Sequence, residues 1–379
     1  MKKINPIVQW WMTPELPYHD VFELPLLIDK NKTKVFLHLI SHWLVHPLKR
    51  RIARIYIRFL QRFTDIKVIA ITGSSGKTST TQMLASICSL VGDTVWSKES
   101  IDPVYNIPNT ILRAGLNTKY LILEMGVEYP GEMDFYLWLV KPGIGVITNI
   151  FPTHLEFLEN VKGVLNEKGK LVLGLSRDDI AVLNMGDQKL KSISKNIKAK
   201  VVWFKGGGNP ILQDSLAAEA VAKSLGIGAD KIKRGLSSYQ KPKHRLSVVK
   251  LKSGAVVLDD SYNSNPEAAF ATLKFFEDIA YGKRKIAVLG DMKELGTYEE
   301  EAHRKIGRKV AEMDFECVIG VGSAIKYLIS KIRSDTKTYI VENQEAVLPL
   351  LKPYLQKGNY ILIKGSRSIG LDKLVDALV

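Results

Sequence analysis

Residues 72–80 read TGSSGKTST, so that Gly73, Ser74, Ser75 and Gly76 lead directly into Lys77, Thr78 and Ser79. Glycines separated by small residues let a backbone turn present its N–H groups to an anion. A lysine adds positive charge, and a threonine hydroxyl is a hard oxygen ligand suited to Mg²⁺. The chemistry this grouping points to is binding of a nucleoside triphosphate. Between its glycines the loop is two residues shorter than the common GxxxxGK[ST] form. An apolar run, VIAI, precedes it and a helix-like stretch follows, which is the setting a phosphate loop requires. The ordinary alternative is a glycine turn carrying a solvated lysine.

Other polar residues end apolar runs in the same manner. Glu124 closes YLILE and His154 lies in the loop after VITNI, both at strand carboxyl ends, where α/β sheets bind ligands. Taken alone, they read rather as a capping carboxylate and a turn histidine. Asp260 and Asn263 follow AVVLD. An aspartate there can accept from a ribose hydroxyl and an asparagine can read an adenine edge, although both residue types also favour turns for local reasons.

The elements that must position these groups show in the hydrophobic period. From residue 66 apolar runs of four to eight residues alternate with helical stretches: IKVIAITG, YLILEMG, GIGVITNI, IAVLNMG and KVVWF. The alternation resumes after about residue 245 in AVVLDDSY, KIAVLGDM, CVIGVG, TYIVE and YILIKGS. This predicts an α/β protein with mainly parallel sheets covered on both faces. The Lys- and Pro-rich stretch 241–254 separates the two series. The expected domains are therefore a basic segment 1–65, an ATP-binding domain 66–242 and a Rossmann-like domain 243–379. With 379 residues, 46% hydrophobic and 25% charged, the chain has room for substantial cores and is neither fibrous nor disordered. Cys88 and Cys317 stand far apart with no partner spacing, which argues against a disulfide framework or cysteine metal site and fits a reducing compartment. The net charge of +15 calls for anionic partners without choosing among nucleotides, phosphorylated substrates, lipid and nucleic acid.

The shortened loop opens an ordered series: LILEMGVEYPGEMDF (121–135), VITNIFPTHLEFL (146–158), EKGKL (167–171), LNMGD (183–187), LDDSYNSNPEA (258–268), AVLGDMKELG (287–296), EEAH (300–303) and KGSRS (364–368). The series resembles the Mur ligases, which join amino acids or peptides to cell-wall precursors, and within them the branch that adds D-alanyl-D-alanine. It covers roughly residues 66–379. The resemblance implies an ATP- and Mg²⁺-dependent ligase that activates a muramoyl-peptide carboxylate as an acyl phosphate and passes it to an amine. By the same resemblance Lys77, His154 and Lys168 are catalytic, and Thr78, Glu124, His154 and Lys168 hold metal, Lys168 as a carbamate. Gly73 through Ser79, Asn209, Arg245, Asp260 and Asn263 bind ATP, and Lys364, Ser366 and Arg367 bind substrate. Lys170 stands two residues from Lys168, whose assignment rests on its spacing from His154. Without the resemblance Lys168 reads as a surface helix lysine and Arg245 as a linker cation.

The series departs from the family in places. The 65 residues before the phosphate-loop strand are basic and helical rather than a recognisable UDP-sugar domain, the segment Trp203–Leu216 is short, and ESIDPVYNIP (99–108) lacks consecutive asparagines. Catalysis is expected intact, with altered substrate binding and, as the alternative, a related Mur-type ligase that adds a different amino acid or uses a lipid-linked acceptor. Within the first segment PLKRRIARIYIRFLQR (47–62) carries six cations and no acid beside Ile52, Ile55, Ile57, Phe59 and Leu60. Residues 35–62 are thus a candidate for weak contact with anionic membrane, set against packing on the protein itself. No targeting signal is evident, so a soluble, cytoplasmic monomer is expected. A basic NTPase acting on nucleic acid would alternate aromatic and basic residues on one surface, whereas the basic excess here is spread along the chain, and no nucleic-acid partner is expected. An idle regulatory module would be expected to lose Lys77, Glu124 or His154, and all three are present.

Overall fold

Residues 4–23, 32–98, 101–206 and 209–379 are described by the computed structural model. Glu99 and Ser100, at the start of the ESIDPVYNIP stretch, and Gly207 and Gly208 of KGGG lie outside them. The chain divides into two compact units, one of Met1–Phe151 with Asn160–Tyr239, the other of Pro152–Glu159 with Gln240–Val379.

In the first unit, β1 (Lys67–Thr72), β2 (Thr94–Trp96), β3 (Tyr120–Glu124), β4 (Ile144–Ile147), β5 (Ile180–Asn184) and β6 (Lys200–Phe204) form a sheet in the order 2-3-1-4-5-6. Every pairing is parallel. A central parallel strand is buried on both faces, and the interior of β1 is apolar throughout: Val68, Ile69, Ala70 and Ile71 are all buried. The order reverses at β1, with β3 on one side and β4 on the other, and that reversal opens a crevice at the strands' carboxyl ends. Helices Lys77–Cys88 and Pro210–Ser224 cover one face, packing Leu84, Ile87, Ala218 and Val221 against Ile69, Ile71 and Val146.

In the second unit, β7 (Ser247–Lys250), β8 (Val256–Asp260), β9 (Arg284–Gly290), β10 (Phe315–Val321), β11 (Lys337–Val341) and β12 (Asn359–Lys364) take the order 11-10-9-12-8-7. All pairs are parallel except β7 with β8. Apolar clusters lie on both faces, around Leu273, Phe276 and Ile306 on one and around Val347, Leu351 and Leu374 on the other. Two strands lie outside the expected series. Three-residue β2 is too short to show a period, and β7 is the antiparallel edge hidden in the lysine-rich 241–254 stretch, where only alternate residues are shielded.

Among the described residues, those before β1 form helices and no strand: Pro6–Met12, Lys32–Ile40, a π-helical stretch Ser41–Val45 and His46–Phe63. The last lies against helix Pro103–Arg113 through Arg50, fully buried although charged. Its guanidinium donates to the Met12 carbonyl at 2.7 Å and stands 5.4 Å from the Tyr105 ring centre. The apolar residues of this helix do not act as one set. Ala53, Ile57 and Leu60 are wholly buried, while Ile52, Ile55 and Phe59 are exposed.

Candidate functional site

The phosphate-loop residues follow β1 directly, at the sheet's reversal. Gly73 (φ +147°) and Gly76 (φ +81°) occupy backbone conformations that side chains resist. A Cβ at Gly73 would stand 1.9 Å from the Thr148 hydroxyl, and one at Gly76 would stand 2.1 Å from the Asp214 carboxylate. The loop is fastened from the neighbouring strand's end. Ser75 N donates to Asn149 Oδ1 at 2.9 Å, the Ser74 N donates to the Asn149 carbonyl at 3.0 Å, and the Thr148 hydroxyl and Asn149 Nδ2 both donate to the Ser75 carbonyl. Helix Lys77–Cys88 then starts with Gly76 as its left-handed N-cap and no side-chain cap, so its first N–H groups point into the loop, where an anion is stabilised. Gly76→Ala is expected to cut affinity for an ATP analogue and to destabilise the fold by about 1–3 kcal/mol. Gly115→Ala, whose new Cβ would meet nothing within 4 Å, is the neutral control. Calorimetric titration and thermal melting check both.

Around the loop stand the charged groups. Lys77 is half-buried and its ammonium donates to the Gly73 carbonyl at 3.0 Å. The Thr78 hydroxyl donates to Glu124 Oε1 at 2.9 Å, and the Ser97 hydroxyl holds the Glu124 backbone N–H at 3.2 Å. Two hard oxygen donors thus meet beside the phosphate cradle, a donor set that suits Mg²⁺ rather than a softer metal. Ser79, one residue on, lies in the helix's first turn.

Lys168 lies in helix Val161–Leu173 with no exposed surface, its ammonium donating to the Val127 carbonyl at 3.1 Å just past β3. Burial, with the nearby Lys77 charge, lowers its pKa from that of an ordinary lysine to about 7. Lys170 has a different setting: it is partly exposed and bonds Asp134 and Glu167, each at 2.6 Å. Glu167 in turn accepts from Gly131 N and Met133 N at 3.0 Å. Asn209 caps helix Pro210–Ser224, accepting from Ile211 N at 2.8 Å.

The second unit holds the other expected residues. His154 belongs to it rather than to the unit of the phosphate loop. The expected boundary at 242 thus misses a short return: Pro152–Glu159 lies with the Glu294 turn, where His154 Nδ1 stands 2.7 Å from Glu294 Oε2. Both residues have positive φ, +54° and +64°, so the pair sits on strained backbone. Asp260 is spent inside the protein, accepting from the buried Lys364 ammonium and the Thr272 hydroxyl at 2.6 Å each and from Leu246 N at 3.2 Å. The Ser366 hydroxyl, also buried, receives Lys293 N at 2.9 Å. Asn263 is exposed, its side-chain oxygen accepting from Ser264 N at 2.8 Å. Arg245 and Arg367 both stand over the Tyr262 ring, at 4.0 and 4.8 Å from its centre, and Arg367 donates to the Tyr262 hydroxyl.

Sequence reasoning missed four residues that shape these sites. Thr148 and Asn149 stood inside the quoted VITNIF run, at a strand end, yet carried no separate signal. Asp214 is an acid on a helix face otherwise made of Ile211, Ala217, Ala218 and Val221, and Tyr262 stood inside SYN.

A shortened phosphate loop at the reversal of a parallel sheet, oxygen donors beside it and a buried lysine, followed by a second doubly wound unit, define a nucleotide-dependent enzyme of the P-loop class. Residues 71–231 match the Mur ligase middle domain, and residues 244–367 match the Mur ligase, glutamate ligase domain. The chain is 30% identical over 354 residues to the UDP-N-acetylmuramoyl-tripeptide–D-alanyl-D-alanine ligase of Buchnera aphidicola, covering 83% of this chain and 76% of that one. Its fold is similar to that of MurF from Acinetobacter baumannii (TM-score 0.77, 24% identity, 88% of this chain and 79% of that one). It is equally similar to that of MurF ligase from Thermotoga maritima in complex with ADP (TM-score 0.77, 22% identity, 88% and 83%). The chain belongs to the Mur ligase family, and is an ATP-dependent ligase.

Proposed function

We propose that this chain forms the amide bond between D-alanyl-D-alanine and the terminal carboxylate of a muramoyl peptide in peptidoglycan precursor synthesis. The observation that carries this reading is the 30% identity over 354 residues with a ligase named for that reaction, running through both units. ATP with Mg²⁺ supplies the phosphoryl group that activates the carboxylate. The residues present fit that pair: Gly73 and Gly76 let the turn pack against Thr148 and Asp214 in a backbone conformation that side chains resist, the helix behind it starts with no side-chain cap, and Thr78 with Glu124 offers oxygen ligands.

In this reading the chain's own groups divide the work. The loop N–H groups and the Lys77 ammonium hold the phosphates and neutralise their oxygens. Lys168 is prepared for carbamylation, because only a neutral amine attacks CO₂ and burial yields that form near pH 7. The amine nitrogen bonds the CO₂ carbon, one C=O π pair becomes the carboxylate, and the nitrogen's proton leaves to solvent. A buried cation thereby becomes an anion able to face metal, while Lys170 remains paired with Asp134 and Glu167. Arg245 and Arg367, both placed over the Tyr262 ring, present cations to anionic substrate or nucleotide groups.

The test incubates purified protein with ATP, Mg²⁺ and a panel of UDP-muramoyl peptides with dipeptides or single amino acids, following phosphate release and product mass. The expected result is turnover dependent on both a muramoyl tripeptide and D-alanyl-D-alanine. Turnover with a single amino acid, or with a lipid-linked acceptor alone, would replace this substrate assignment. Turnover stimulated only by nucleic acid would remove the ligase reading.

A further inference from the structure

Helix His46–Phe63 carries two apolar rows. Ala53, Ile57 and Leu60 form the inner one and are fully buried. Leu48, Ile52, Ile55, Phe59 and Phe63 recur every three or four residues, the spacing of one helix face, and all five are exposed, Ile55 by 70% and Phe63 by 69%. At 100° per residue the centres of the two rows lie about 130° apart around the helix. A helix of this kind normally has its second apolar row covered. The row continues toward the N-terminus through exposed Leu44 and Val45 and, beyond the π-helical stretch, Phe36 and Leu37.

The charges around the outer row indicate what covers it. Arg58 and Arg62 are exposed on one flank and Arg51 is half-buried beside them. From Lys32 to Thr64 the sequence contains no aspartate or glutamate. A second copy of this chain packed on the row would bring cation against cation with no acid to pair. A surface bearing negative charge above an apolar layer matches on both counts, and no helix among the described residues is long and apolar enough to cross a membrane. We propose that the outer face of helix His46–Phe63 docks the protein on the surface of an anionic lipid bilayer, the apolar row entering the headgroup boundary and the arginines meeting lipid phosphates. This inference does not rest on the ligase reading.

The full chain is mixed with vesicles of phosphatidylcholine alone or with about one-third phosphatidylglycerol and sedimented at low and high salt. Two variants accompany it, Ile52→Ser/Ile55→Ser/Phe59→Ser and Arg58→Gln/Arg62→Gln, whose positions are exposed and whose melting temperatures should match the parent's. The expected result is binding to anionic vesicles at low salt, weakened about tenfold or more by either variant or by high salt, and little binding to neutral vesicles. Failure of the parent to bind, or equal binding by parent and folded variants, overturns the proposal. A concentration-dependent dimer in analytical ultracentrifugation that the serine variant abolishes, with no vesicle binding, assigns the face to a second copy instead.

Discussion

Lys77→Ala is expected to lower ATP turnover by about a thousandfold while moving the melting temperature by no more than a few degrees. The two halves of this expectation come from different parts of the loop. Its shape is set by Thr148, Asn149, the Ser74 hydroxyl bonded to Phe151, and the glycine conformations. The Lys77 ammonium donates to the Gly73 carbonyl at 3.0 Å, within a loop whose shape these other bonds already set. What the side chain adds is charge at a place where phosphate oxygens crowd together, and nearby Lys168 does not replace that charge once it is neutral or carbamylated. Single-turnover phosphate release, ATP-analogue binding and thermal melting separate the contributions. A folded variant with undiminished turnover removes Lys77 from catalysis, and a variant that fails to fold shows that the lysine holds the loop through Gly73. Because the Lys77 charge also depresses Lys168, the variant should raise the Lys168 pKa.

The sequence made strands legible where burial on both faces forces unbroken apolar runs, as in β1, β3 and β9, and made the phosphate loop legible because its glycines and lysine are contiguous. What stayed hidden depends on residues distant in the chain. Nothing local distinguishes Lys168 from Lys170. The difference arises because one faces the Val127 carbonyl in a dry interior and the other reaches Asp134 across 36 residues. Asp260 looked like a ligand-facing acid at a strand end, yet Lys364, one strand over in β12, takes one of its oxygens. His154 follows β4 in sequence but its partner, Glu294, lies far along the chain. The isoleucines of the basic helix read as one apolar set because a 3.6-residue period shows faces only when the inner side is known. Arg50 marks that side, a buried cation no composition argument would have placed inside.

Lys168→Ala is expected to abolish ligase activity, with part of it restored by a short carboxylic acid that supplies the missing anion, if the lysine acts as its carbamate. Equal activity of variant and parent would take Lys168 out of the site, and inactivity without rescue would leave it a packing residue. A second readout tests the burial argument without any activity assay. In CO₂-free buffer the native protein gives up the Lys168 proton near pH 7, whereas the unfolded chain keeps it to about 10.5. Between these values the unfolded state binds more protons, so this group makes the parent more stable as pH rises from 7 to 10.5. Below pH 7 both states are protonated and the native state bears the full cost of a buried cation. Lys168→Met, which keeps the volume and removes the charge, should therefore melt several degrees above the parent at pH 6, with the gap closing as pH approaches 10. A gap independent of pH would mean that the interior around Val127 tolerates the ammonium, and that burial does not prepare Lys168 for CO₂.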